Sequence, residues 1–130
     1  QRPLPRKFGQ HFLRDSSILA RIARAATPQP PEPLVLEIGP GRGALTEHLL
    51  PRTNRLVAFE VDPALIDPLR SRFPSAEILH QDILTADLAP YPDPIVCGNL
   101  PYYITSPILE RLLTLPSWRL AVFLIQREVA

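Results

Sequence analysis

Asn99, Leu100, Pro101 and Tyr102 follow directly on the apolar run "PIVCG". Strands seldom end on that set for packing alone. Pro101 has no N–H and biases Leu100 toward an extended backbone. The carbonyls of such a corner can point outward, and Tyr102 offers a flat aromatic face. The Asn99 side-chain oxygen and the Leu100 carbonyl then form a pair of acceptors. Such a pair suits an amine on a planar base such as adenine N6. That amine is a poor nucleophile, because its lone pair is delocalised into the ring. Two acceptors that take both N–H bonds pull the nitrogen toward tetrahedral geometry and turn the lone pair toward an electrophile. Stacking of the base on Tyr102 adds about 1–3 kcal/mol. The chain has one cysteine and three scattered histidines, His11, His48 and His80. They form no Ser/His/Asp set, no Cys/His pair and no metal-ligand spacing. Positioning is therefore the chemistry these residues can supply.

A second group of residues could hold the electrophile. "LEIGPGRGALT" (36–46) places Gly39, Gly41 and Gly43 between an apolar run and a helical pattern. Glycines there permit a sharp turn and close approach of a ligand to the backbone. The free N–H groups of the helix start face that ligand. Gly39-x-Gly41-x-x-Ala44 satisfies a dinucleotide fingerprint, and Gly39-x-Gly41-x-Gly43 after Glu37 matches an S-adenosylmethionine loop equally well. Glu60 lies near the end of the second apolar run, where a carboxylate can accept from both ribose hydroxyls. NAD and S-adenosylmethionine both carry that ribose, so the choice stays open on these residues. Asp82 is expected to end the third strand and to accept from an adenine amine, with an Asx turn as the bland alternative. Tyr103 is expected to sit in the core, with a second base contact as the alternative.

Five apolar runs must carry these groups: 34–39, 55–62, 76–82, 94–99 and 120–126. They are near-continuous rather than alternating, which suits a parallel sheet covered on both faces. Asp15 is placed to cap a helix with Ile18, Leu19, Ile22 and Ala23 on one face. "TPQPPEP" (27–33) reads as a Pro-rich linker, and "GALTEHLL" (43–50) as a short helix stopped by Pro51. Asp62 and Pro63 form a cap and first-turn pair. Pro68 predicts a kink or late start. Ser106 and Pro107 open a helix with Ile108, Leu109, Leu112 and Leu113 inward, ended by Pro116. The order α-β-α-β-α-β-β-α-β gives an α/β doubly wound fold. The apolar fifth run predicts an exposed sheet edge, and the chain reads as part of a longer protein.

Composition narrows the setting. Of 130 residues, 45% are hydrophobic, enough for a core, and the net charge is only +1. A global positive field is therefore not the argument for a nucleic-acid partner. The charge is local: Arg2, Arg6, Lys7 and Arg14 stand in residues 1–14 with no acid among them. That basic arm reads either as a solvated terminus or as an RNA contact. No apolar run is long enough to span a membrane. A reducing, cytoplasmic setting is expected.

The chain resembles the KsgA family of small-subunit rRNA adenine N6,N6-dimethyltransferases. The matching pieces are "KFGQHFL", "EIGPGRGALT", "FEVD", "HQDIL", "GNLPYYITSPIL" and "QREVA", in the family's order. The resemblance implies a class I S-adenosylmethionine-dependent methyltransferase fold, Rossmann-like and mainly parallel, cut short after the fifth strand. It implies dimethylation of two adjacent adenines near the 3′ end of small-subunit rRNA, in a pre-30S particle, by a monomer without metal. Cofactor contacts then fall on Gln10, His11, Leu13, Gly39, Gly41, Glu60, Asp82 and Asn99. The target adenine falls on Asn99, Leu100, Pro101 and Tyr102, and rRNA on Arg2, Arg6 and Lys7. Residues 1–14 become an arm carrying part of the cofactor motif, and 15–130 the incomplete catalytic domain. His11 stands where the family often has Asn, and the family's C-terminal helical domain is expected to lie outside these 130 residues. The related large-subunit enzymes of macrolide resistance share "GQHFL" and the glycine loop, but their corner more usually reads "NIPY" or "NIPF". A mitochondrial transcription-factor relative, a non-catalytic ribosome-assembly factor and an NAD enzyme are the other readings.

Overall fold

The computed structural model describes residues 16–127. Its centre is a five-stranded parallel sheet in the order β3-β2-β1-β4-β5. The strands are β1 (Val35–Ile38), β2 (Leu56–Glu60), β3 (Glu77–His80), β4 (Ile95–Pro101) and β5 (Leu120–Gln126). The chain steps outward from β1 to β2 to β3, then crosses back so that β4 lies on the other side of β1. That reversal opens a crevice at the carboxyl ends of β1 and β4, where ligands bind in such sheets.

Alternation along the strands feeds two cores. Leu36, Ile38, Val57, Phe59, Val96 and Leu100 pack on one face with Ile108 and Leu112 of α4 (Thr105–Leu113). Val35, Leu56, Ile95 and Cys97 pack on the other with Leu19, Ala23 and Ala26 of α1 (Ser16–Ala26) and Leu49 of α2 (Thr46–Leu49). Ala58 and Ile78 meet Ile66, Leu69 and Phe73, at the end of α3 (Pro63–Arg72). Sequence patterning therefore located every strand and both helical layers.

Four details differ from the sequence reading. The glycine segment stays in turns until Thr46, so α2 is a single turn followed by a 3-10 turn over Leu50–Arg52. Helix α3 begins at Pro63, where Asp62 Oδ1 accepts from the Ala64 N–H at 2.9 Å, and it runs past Pro68 with no late start. On α4, Ile108 and Leu112 are buried, but Leu109 and Leu113 are exposed. A helix that meets a sheet on one side hides a stripe at i and i+4, and neighbours one residue on are turned about 100° away.

The Pro-rich stretch is no free linker. Thr27 and Glu32 are fully buried. Glu32 takes the Gln29 N–H and pairs with Arg119, while Arg52 donates to the Thr27 hydroxyl and carbonyl. Prolines there stiffen a packed corner rather than a spacer. β5 forms one edge of the sheet, half-buried along most of its length, and β3 the other. Asp15 lies outside the described residues. Among those described, no helix is long and apolar enough to cross a membrane, and no cluster of His, Cys, Asp and Glu could hold a metal.

Candidate active site

A cavity of about 430 Å³ opens at the switch point. Gly39, Gly41, Glu60, Asp82, Asn99, Leu100 and Pro101 all line it. These residues come from two strand ends and two loops, and the topology makes them neighbours. The volume lies in the range of small-molecule sites.

The loop after β1 is bent by glycines with different jobs. Gly39 has φ +64°, and a Cβ there would meet nothing within 4 Å. Open space lies over that backbone, as a bound ligand requires. Gly43 has φ +92°, and a Cβ there would fall 2.4 Å from the Phe73 ring. Its smallness serves the packing of the loop on α3 and not the ligand.

Glu60 closes β2 and is only 5% exposed. One carboxylate oxygen accepts from the Gly41 N–H at 2.9 Å and the other from the Asp62 N–H at 2.9 Å. The carboxylate thus fixes the loop and keeps a lone pair on each oxygen for a diol. Asp82 stands two residues beyond the end of β3, not on the strand. Its Oδ1 accepts from the Leu84 N–H at 2.9 Å, and its carbonyl from the Thr85 and Ala86 N–H groups. The Asx turn occupies only one carboxylate oxygen and leaves the other open to a ligand.

Asn99 differs from both. Strand β4 parts from β1 at Gly98 but stays paired with β5 through Pro101. Asn99 is thus held in a strand and not in a loose exit. Its Oδ1 is buried and has no hydrogen-bond partner among the described residues. A buried acceptor without a donor costs about 1–3 kcal/mol unless a ligand supplies one. Leu100 is in the core with 3% exposure, and Tyr102 stands 52% exposed outside the cavity lining. Tyr103, expected in the core, is 62% exposed and lines the cavity. The two rings meet edge to face, 6.2 Å apart at 81°. The 3-10 turn over Tyr102–Ile104 swings both outward from β4, which strand patterning could not show.

Val61 escaped the sequence reading, and Glu37 entered it only as part of the glycine-loop motif. Val61 lines the cavity while 61% exposed, and a large aliphatic left in water beside a cleft is its only signal. Glu37 is 1% exposed under the loop and accepts from the Thr46 hydroxyl at 2.7 Å. Burial pushes its carboxyl up to about 8; the Thr46 hydrogen bond opposes that and the Glu60 charge adds to it. Burial also pushes the Cys97 thiol far above its ordinary range, so it is no nucleophile.

Gln10, His11, Leu13, Arg2, Arg6 and Lys7 lie outside the described residues. The described chain begins near the helix that follows the glycine loop. The Ser16 hydroxyl is 3.0 Å from the His48 ring on α2, the helix that leaves the glycine loop.

The sequence profile described as ribosomal RNA adenine dimethylase matches residues 3–130. The chain belongs to that family. The family is S-adenosylmethionine-dependent, and the class I methyltransferase fold is the one seen here. The ribosomal RNA small subunit methyltransferase A of Synechococcus elongatus is 46% identical over 145 residues, covering 98% of this chain and 52% of that protein. The 23S rRNA methyltransferase ErmE superposes with TM-score 0.73 at 38% identity, over 85% of this chain and 46% of that one. The S-adenosylmethionine-bound amino pentose methyltransferase CalS10 of Micromonospora echinaspora gives TM-score 0.50 at 27% identity, over 67% and 35% of the two chains. The chain spans about half the length of the curated relatives it matches.

Proposed function

We propose that the protein transfers methyl groups from S-adenosylmethionine to N6 of two adjacent adenines near the 3′ end of small-subunit rRNA, during ribosome biogenesis in the cytoplasm. The observation that carries this reading is the buried, unpartnered Asn99 Oδ1 at the edge of a cofactor-sized cavity. An exocyclic amine supplies the missing donor. Bound S-adenosylmethionine would supply an electrophilic methyl group. Glu60 holds the ribose, Asp82 the adenine amine of the cofactor, and the backbone at Gly39 and Gly41 its close approach. Asn99 with the Leu100 carbonyl takes the target N–H groups, Pro101 shapes the corner, and Tyr102 stacks on the base.

Gln10, His11 and Leu13 complete the cofactor site. The Ser16–His48 contact supports this, since three to six residues reach at most about 20 Å from Ser16. Arg2, Arg6 and Lys7 meet rRNA phosphates, in a monomer acting on a pre-30S particle. The test is Asn99→Ala in the full-length protein. It is expected to abolish methyl transfer while largely sparing rRNA binding, and undiminished transfer refutes the reading. A purely assembly-related role predicts that the same variant still supports ribosome maturation.

The likeness to a 23S rRNA methyltransferase favours a second reading, in which the target is one adenine of large-subunit rRNA. Mapping methylated adenines on both rRNAs, with and without the gene, separates the two.

A further inference from the structure

We infer that Arg111 is a positioning residue for the cofactor: from α4 it clamps the turn that carries Asp82, and so aims the acceptor that selects an adenine amine. This rests on the S-adenosylmethionine reading above. Arg111 stands outside the cavity lining, so it acts through the turn and not by contact.

Asp82 lies past the end of β3, where no sheet ladder holds it. The turn keeps its own shape. Asp82 Oδ1 accepts from the Leu84 N–H, and the Asp82 carbonyl from the Thr85 and Ala86 N–H groups. Those bonds are internal to residues 82–86. They fix the turn as a unit and leave its seat on the rest of the fold to other contacts. Burial of Ile83 and Leu88 in the core supplies adhesion without direction. Arg111 supplies the direction. Its Nε donates to the Ile83 carbonyl at 3.2 Å and its Nη2 to the Ala86 carbonyl. One planar guanidinium thus spans the turn, and its donors form a rigid fork.

The arginine is fixed on its own side as well. Nη1 donates to Thr114 Oγ1 at 3.2 Å, and that hydroxyl donates to the Arg111 carbonyl at 2.6 Å. Asp87 and Asp93 share a neighbouring cavity with Arg111, but among the described residues no carboxylate pairs with it. Its donors go to uncharged acceptors, as in a tether and not an ion pair. The helix it stands on matters too. Ile108, one turn before Arg111, lines the cavity and packs in one cluster with Ile83 and with Leu100 of the Asn99 corner. The Asp82 turn is therefore seated on the same helix that packs that corner.

A hydrogen bond is lost when its acceptor moves by under about 1 Å. Apolar burial tolerates such a shift. Releasing the tether should remove the preference for the amine and spare most of the remaining affinity.

The test is calorimetric titration of the full-length protein with S-adenosylhomocysteine and with its 6-deamino analogue, which carries hydrogen in place of the amine. Wild type should prefer the amine by about tenfold or more, as a hydrogen bond to a carboxylate implies. In Arg111→Ala most of that preference should vanish, chiefly through weaker binding of the amine-bearing ligand. Asp82→Ala should do the same, and the double variant should lose no further preference. Arg111→Lys keeps the charge and the stem but not the fork, so it should restore only part of the preference. That variant also serves if Arg111→Ala does not fold. An Arg111→Ala protein that binds both ligands more weakly by the same factor overturns the inference, since a merely structural role would leave the ratio unmoved. Full preference in Arg111→Lys overturns it too. A wild-type protein that binds both ligands equally overturns the role of Asp82 and this inference with it, whereas one that binds neither overturns the cofactor reading itself.

Discussion

The two halves of the crevice are built on opposite principles. At the ends of β1, β2 and β3 the polar groups are occupied before any ligand arrives. Glu60 holds two backbone N–H groups and Asp82 holds one through its side chain. At the end of β4, Asn99 Oδ1 has no partner among the described residues, and two tyrosines stand largely exposed. The first half spends part of its hydrogen-bonding capacity on its own shape and presents a rigid cradle. The second leaves an acceptor open and lets the substrate complete it. A cofactor is the same molecule in every turnover, so a fixed cradle suits it. Under the proposed function an adenine has to be taken out of an RNA strand, and unpaired acceptors with exposed aromatic faces suit that capture.

The contrast can be broken most decisively at Asn99. Asn99→Ala should lower methyl transfer about a hundredfold or more. Cofactor affinity, measured directly, should change far less. Equal losses in both would mean that the two halves are one site.

Gly43→Ala comes next, because it attacks the cradle through packing. The added methyl would fall 2.4 Å from the Phe73 ring at a positive φ. A loss of about 2–4 kcal/mol in unfolding free energy is expected. Gly39→Ala meets no atom, so at equal backbone strain it should cost less stability and more cofactor affinity.

Glu60→Ala strands the Gly41 and Asp62 N–H groups. Cofactor binding should weaken by roughly tenfold to a hundredfold, with lower thermal stability from the loosened loop. Weakened binding without any loss of stability would show that Glu60 serves the ligand alone.

Tyr102→Ala should raise the KM for RNA by roughly tenfold through lost stacking, with cofactor affinity unchanged. A change in cofactor affinity would move Tyr102 into the cradle half.

The most gradual effect is a pH dependence of stability. Folded Glu37 keeps its proton up to about 8, while its ordinary value is 4.5. Between those values the folded state binds more protons than the unfolded one. Stability is therefore fully present below about 4.5, falls as pH rises, and levels off above about 8. The slope from this group is at most about 1.4 kcal/mol per pH unit. Denaturant titrations of Glu37→Gln should lack it; an identical slope in both proteins would place the titration elsewhere.

Legibility in the sequence followed the range of the physics. The strands and the glycine loop were readable because near-continuous Val, Leu and Ile runs and left-handed turns are local demands. The place of Glu60 at the end of β2 was readable because strand ends fall at predictable spacings, whereas Asp82 falls two residues past the end of β3. The rigid corner around Glu32 was not, since it depends on Arg119, which is 87 residues away. The outward swing of Tyr103 was not, because "YYI" has the same composition whether it packs inward or lines a cavity. The inward stripe on α4 was drawn too wide for the same reason, since only the sheet decides which of two adjacent leucines it covers.

The sequence by itself determined the parallel sheet, the bend after β1 and an amide followed by a proline and an aromatic ring, because backbone conformation and hydrophobic periodicity are written residue by residue. Only the tertiary structure decided that Asn99 keeps its oxygen unpaired while Glu60 does not, that Tyr103 faces the cavity, and that Glu37 is sealed beneath the loop. Hydrogen-bond satisfaction and burial belong to the space between elements, and that space exists only once the strands have crossed at β1 and β4.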